Sequence, residues 1–104
     1  MRIAIVDDNE EDRKYLIEGI IEIFSEKTRE NPQITQFSSG EEFVKVLSES
    51  EPGEFFDIVF LDIYMKELTG IDTAKKLRQI DKAAKIIFIT TSNEFASESY
   101  EVQA

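Results

Sequence analysis

Ile3-Ala4-Ile5-Val6-Asp7-Asp8 is a continuous apolar run closed by two carboxylates, and its kind recurs twice further along the chain. Ile58-Val59-Phe60-Leu61 ends at Asp62, and Ile86-Ile87-Phe88-Ile89 ends at Thr90. An unbroken apolar run of this length fits a strand covered on both faces. If the three runs are neighbouring parallel strands, their carboxyl ends gather three carboxylates and a hydroxyl in one crevice. Open α/β sheets bind ligands at that edge. Clustered carboxylates repel one another, so the arrangement favours a hard divalent cation.

The segments between the runs carry helical spacing. Asn9 is placed to cap a helix whose first turn, Glu10-Glu11-Asp12, complements the helix dipole, with Leu16, Ile20, Ile23 and Phe24 as its apolar stripe. The helix fades near Glu26, and Asn31-Pro32 breaks the chain. Ile34-Thr35-Gln36-Phe37 alternates, as a half-exposed edge strand does. Ser39-Gly40-Glu41-Glu42 reads as a capping box, followed by an inward stripe of Phe43, Val46 and Leu47. Pro52-Gly53 marks a turn, Phe55-Phe56 reads as core, and Ile71, Ala74, Leu77 and Ile80 form a third helical stripe. After Thr90, Ser92 or Asn93 is placed to cap a short fourth helix containing Phe95, Ser99 and Val102. The order β-α-β-α-β-α-β-α implies parallel strands with helices on both faces.

Composition narrows the chemistry. With 104 residues and 41% hydrophobic content, one compact domain with one core is expected. There is no cysteine and no histidine, which excludes disulfides, thiolate metal sites and Ser-His-Asp or Cys-His catalysis. A formal net charge of −10 repels phosphate backbones, so direct nucleic-acid binding by this segment is not expected. No apolar stretch approaches membrane-spanning length, and the start lacks a signal-peptide pattern, so a cytoplasmic location is expected.

Each acidic residue alone is also an ordinary turn or cap residue. Asp7, Asp8 and Asp62 together at strand ends favour chemistry: they suit one Mg²⁺, Asp62 is placed to act as a nucleophile toward a phosphoryl group, and Thr90 to hydrogen-bond a phosphoryl oxygen. Glu10, Glu11 and Asp12 read as a solvated helix start, and Lys75-Lys76 as a solvated face.

The chain resembles a response-regulator receiver domain, the phosphoacceptor module of two-component signalling. The resemblance lies in Ile5-Val6-Asp7-Asp8-Asn9, in Phe60-Leu61-Asp62-Ile63-Tyr64-Met65 with Gly70, and in Ile87-Phe88-Ile89-Thr90, in that order and over essentially the whole chain. It implies a flavodoxin-like, doubly wound α/β sheet of strand order 2-1-3-4. Asp62 would be the phosphoacceptor, and Asp7 and Asp8 the acidic Mg²⁺ pair, with Asp8 a direct ligand and Asp7 acting more through water. Tyr64 would supply a backbone carbonyl to the metal, and Thr90 would be the hydroxyl that moves toward the phosphoryl group. A histidine kinase is the implied phosphodonor. The implied result is a phosphorylation-dependent switch, not an enzyme beyond self-phosphorylation from small donors and autodephosphorylation. The motif style is similar to receivers of LytTR-type regulators, which implies an output domain, DNA-binding in type, elsewhere on the parent chain.

Two departures stand out. Met65-Lys66 replaces the family's frequent Met-Pro. The chain also reaches Ala104 before the family's fifth strand, with its lysine, and fifth helix, so residues 1–104 read as a receiver incomplete at its C-terminal side. Neither Lys66 nor Lys85 is assigned the phosphate-contacting role. On this reading the fourth strand keeps an unpaired edge, which invites dimerisation or exchange of elements between chains. Two other classes remain open on the residues. An Asp-nucleophile phosphatase of the haloacid-dehalogenase type wants Asp-x-Asp after the first strand, which Asp7-Asp8-Asn9 lacks. A receiver-like interaction module that is not phosphorylated would bind Mg²⁺ without forming a stable adduct.

Overall fold

The computed structural model describes residues 1–27, 31–90 and 99–102. Strand β1 (Arg2–Val6) leads into helix α1 (Glu10–Lys27), followed by β2 (Gln33–Phe37), α2 (Gly40–Ser48), a single 3₁₀ turn (Pro52–Glu54), β3 (Ile58–Asp62), α3 (Gly70–Ile80), β4 (Lys85–Ile89) and β5 (Ser99–Val102). The sheet order is β2-β1-β3-β4-β5. The first four strands are mutually parallel in the expected order 2-1-3-4.

The expected fourth helix and unpaired edge are corrected at the end of the chain. Ser99 and Val102 lie in β5, which runs antiparallel to β4 with Ile89 opposite Ser99 and Ile86 opposite Val102. A parallel return needs a crossover of about a dozen residues or more, and the link from Ile89 to Ser99 is shorter, so the strand returns antiparallel. It occupies the edge of β4 whose backbone N–H and C=O groups were expected to be open to a second chain. The proposed caps Ser92 and Asn93, and Phe95, lie outside the described residues.

The sheet divides two apolar layers. On one face Val59, Leu61, Ile86 and Phe88 pack with Phe43 and Leu47 of α2 and Ala74 and Leu77 of α3. An aromatic cluster fills its centre, with Phe37 edge-on to Phe43 at 5.2 Å and to Phe56 at 5.9 Å between ring centroids. On the other face, α1 sets Ile20, flanked by Leu16, Ile17 and Phe24, over Ile3 and Ile5. Three residues assigned to inward stripes are exposed: Ile23, Val46 and Ile71. Ile17, Val44 and the fully buried Thr73 take contacts on those helices instead.

The helix starts are capped as their sequences require. Asn9 Oδ1 accepts from the Asp12 N–H at 2.9 Å, Ser39 Oγ from the Glu42 N–H at 3.1 Å, and Thr69 Oγ1 from the Asp72 N–H at 3.2 Å. The caps of α1 and α2 hold the loops that follow β1 and β2 close to the carboxyl edge of the sheet.

Candidate metal and phosphoryl site

Strand register brings the acidic residues together. Val6 lies opposite Leu61, so the next residues, Asp7 and Asp62, stand side by side where the strands end. Asp62 in turn lies opposite Ile89, so Thr90 follows at the end of the adjacent strand. Ligating oxygens of Asp7, Asp8 and Asp62 all lie within 4.8 Å of one another. Asp7 and Asp62 are buried, whereas Asp8 is exposed.

Local backbone bonds fix both buried carboxylates. The Asn9 N–H donates to Asp7 Oδ1 at 2.9 Å, and the Tyr64 N–H donates to Asp62 Oδ1 at 3.2 Å. These bonds favour the charged forms, but burial and mutual repulsion outweigh them. Burial pushes the Asp62 carboxyl up to about 7, with the Asp7 charge as the next cause. Burial also raises Asp7, and the hydrogen bond between the two favours keeping the proton on Asp62. Such a cluster gains from a divalent cation that replaces the proton and relieves the repulsion. Its donors are all oxygen, as Mg²⁺ requires.

Thr90 adds a second sign of a ligand site. Its side chain is buried, and its Oγ1 has no hydrogen-bond partner among the described residues. A buried hydroxyl without a partner costs about 1–3 kcal/mol, a cost that a bound acceptor would remove. The loop after β3 is drawn tight against this edge. The Gly70 N–H donates to Ile63 O at 3.0 Å, and a Cβ on Gly70 would fall 2.9 Å from both the Asp62 carbonyl carbon and Ile63 Cα.

The expected residues Asp7, Asp8, Asp62 and Thr90 therefore share one edge, and Tyr64 sits in the loop beside them with its side chain half exposed. Sequence reasoning missed Arg13. Its guanidinium donates to the Asp7 backbone carbonyl at 2.7 Å and to Gln36 Oε1 at 3.1 Å, tying α1 to β1 and β2 beside the cluster. A cation, Arg13, at the end of the acidic first turn and followed by Lys14, was the available signal.

Comparison with known proteins shows the family and agrees with the fold. The family model of the response regulator receiver domain matches residues 3–104, and the chain belongs to that family, a signalling domain. Among curated relatives, the positive alginate biosynthesis regulatory protein of Pseudomonas aeruginosa is 32% identical over 104 residues, and the sensory transduction protein LytT of Enterococcus faecalis is 27% identical over 107. Each alignment covers all of this chain but only 39% of the relative. Among solved structures, the response regulator TrrA of Thermotoga maritima, in complex with Mg²⁺-BeF, superimposes with a TM-score of 0.70 at 31% identity, over 93% of this chain and 75% of that one. The same regulator in complex with the histidine kinase ThkA gives a TM-score of 0.68 over 93% of this chain and 74% of that one.

Proposed function

We propose that this receiver domain accepts a phosphoryl group on Asp62, with Mg²⁺ held by Asp8 and Asp62, by Asp7 through water, and by the backbone carbonyl of Tyr64. The observation that carries this reading is the convergence of three carboxylates within 4.8 Å beside a buried hydroxyl that lacks a partner among the described residues. When bound, Mg²⁺ supplies the positive charge that offsets repulsion between the acceptor carboxylate and phosphoryl oxygens.

The chain's own residues account for the remaining chemistry. Tyr64 N–H holds Asp62 Oδ1 and orients the carboxylate. Asp62 gives up the proton it shares with Asp7, and one of its oxygens then bonds to phosphorus. The donor's bond to phosphorus breaks at the same centre, and the leaving group takes the electron pair. Thr90 Oγ1–H donates to an oxygen of the transferred group and so gains a partner that no described residue supplies. That new bond is the local change able to bias a switch.

The donor is a phosphohistidine of a histidine kinase, a reading supported by the complex of TrrA with ThkA. The receiver would control an output domain elsewhere on a regulator, as the names and lengths of the curated relatives suggest. A cytoplasmic setting fits this role. Among the described residues, no helix is long and apolar enough to cross a membrane.

Calorimetric titration with Mg²⁺ tests the metal part of the reading. Wild type should bind one ion, and Asp8→Asn should weaken binding at least tenfold. Equal affinity in the two proteins would overturn the ligand set.

A further inference from the structure

The loop after Asp62 and the loop after β2 enclose a cleft of about 260 Å³, lined by Asp8, Ser38, Ser39, Glu41, Lys66 and Glu67 with Met65. Asp8 belongs both to this cleft and to the acidic cluster, so the cleft opens directly beside the phosphoryl site. Among the described residues, Lys66 is the only cation lining it. It is exposed, and among the described residues it has no hydrogen-bond or ion-pair partner. Ser39 accepts the Glu42 N–H at 3.1 Å, which fixes its oxygen and leaves its own O–H to donate.

We propose that this cleft is a donor subsite, in which Lys66 and the Ser39 hydroxyl bind the anionic leaving group of a small acyl phosphate, the Ser38 hydroxyl being already engaged with Glu42 Oε2. The proposal rests on Asp62 being the phosphoacceptor and adds which small donors the site prefers. Asp8, Glu41 and Glu67 are otherwise acidic walls, so within this cleft Lys66 is where an anionic leaving group meets attraction among the described lining residues. The cleft has room for an acyl group. In the step served, an Asp62 oxygen bonds to phosphorus, the P–O bond to the acyl oxygen breaks, and the carboxylate leaves with the electron pair. The new negative charge forms on the leaving group, where the Lys66 ammonium and the Ser39 hydroxyl stabilise it. A donor that departs as a neutral amine gains little from the same groups.

The test compares acetyl phosphate, which releases acetate, with phosphoramidate, which releases ammonia. Adduct formation on the full chain is followed by intact mass in saturating Mg²⁺, for wild type, Lys66→Gln and Lys66→Arg. The half-saturating concentration of acetyl phosphate should rise about threefold to fivefold in Lys66→Gln, the scale of one exposed charge pair. It should return toward wild type in Lys66→Arg and change less than about twofold for phosphoramidate. An unchanged acetyl phosphate dependence in Lys66→Gln, or an equal loss with both donors, would overturn the subsite and leave the phosphoacceptor reading standing. Wild type that binds Mg²⁺ yet forms no adduct with either donor would overturn both.

Discussion

Gly70 packs so closely on Asp62 that no side chain fits between them. A Cβ built on Gly70 would lie 2.9 Å from the Asp62 carbonyl carbon and closer still to its oxygen. Backbone is on the receiving side, so the clash cannot be relieved by rotating a side chain. Helix α3 thereby starts directly against the residue proposed as the phosphoacceptor.

Gly70→Ala should therefore destabilise the domain and disturb the site together. Overpacking of this kind costs about 1–3 kcal/mol, or a fall in melting temperature of roughly 4 °C or more for a domain of this size. Thermal melts with and without Mg²⁺ check it: both the melting temperature and the Mg²⁺-induced rise should fall. The same substitution at Gly19, where a Cβ meets nothing within 4 Å, should not lower stability.

Asp62 gives the metal-free protein a distinctive pH dependence. Its carboxyl is raised from the ordinary aspartate range to about 7 in the folded state. Below the ordinary range it is protonated whether folded or unfolded and costs nothing. As pH rises toward and through 7, the unfolded chain has already ionised while the folded chain resists, so stability is lost. Asp62→Asn removes this loss and keeps an oxygen to accept the Tyr64 N–H. Melting temperatures of wild type and Asp62→Asn should be close near pH 4 and diverge toward pH 8, with the variant higher. Saturating Mg²⁺ should close the gap. Curves that stay parallel across this range would contradict the assigned strain.

Thr90→Val keeps side-chain shape and removes a hydroxyl that has no partner among the described residues. Stability of the metal-free protein should hold or rise by about 1 kcal/mol, and Mg²⁺ affinity should hold. The additional thermal stabilisation on adding beryllofluoride to the Mg²⁺-bound protein should shrink, because the new hydrogen bond is absent. An undiminished response would remove Thr90 from the phosphoryl site.

How much of this was legible in the sequence follows from what each pattern depends on. The unbroken runs at Ile3, Ile58 and Ile86 report burial on both faces, which fits strands of a helix-covered parallel sheet. Asp7, Asp8, Asp62 and Thr90 were legible because they follow those runs directly. Strand β5 was not: its antiparallel pairing is decided by the short link to β4 and by the need to cover an edge, and neither appears as local periodicity. Ile23, Val46 and Ile71 matched helical stripes but lie outside the contact with the sheet, since a stripe does not report how wide that contact is. Arg13 and Lys66 read locally as solvated charges. Arg13 acquires its role from β1 and β2, and Lys66 from the loop after β2, both distant in sequence.

The most direct test of the central claim locates the phosphoryl group. The chain is incubated with acetyl phosphate with and without Mg²⁺, its intact mass is measured, and the adduct is mapped after borohydride reduction, which converts an aspartyl phosphate to homoserine. The account predicts a single phosphoryl adduct that requires Mg²⁺, maps to Asp62 and is absent from Asp62→Asn. An adduct at another residue, or one that persists in Asp62→Asn at the wild-type level, would contradict it.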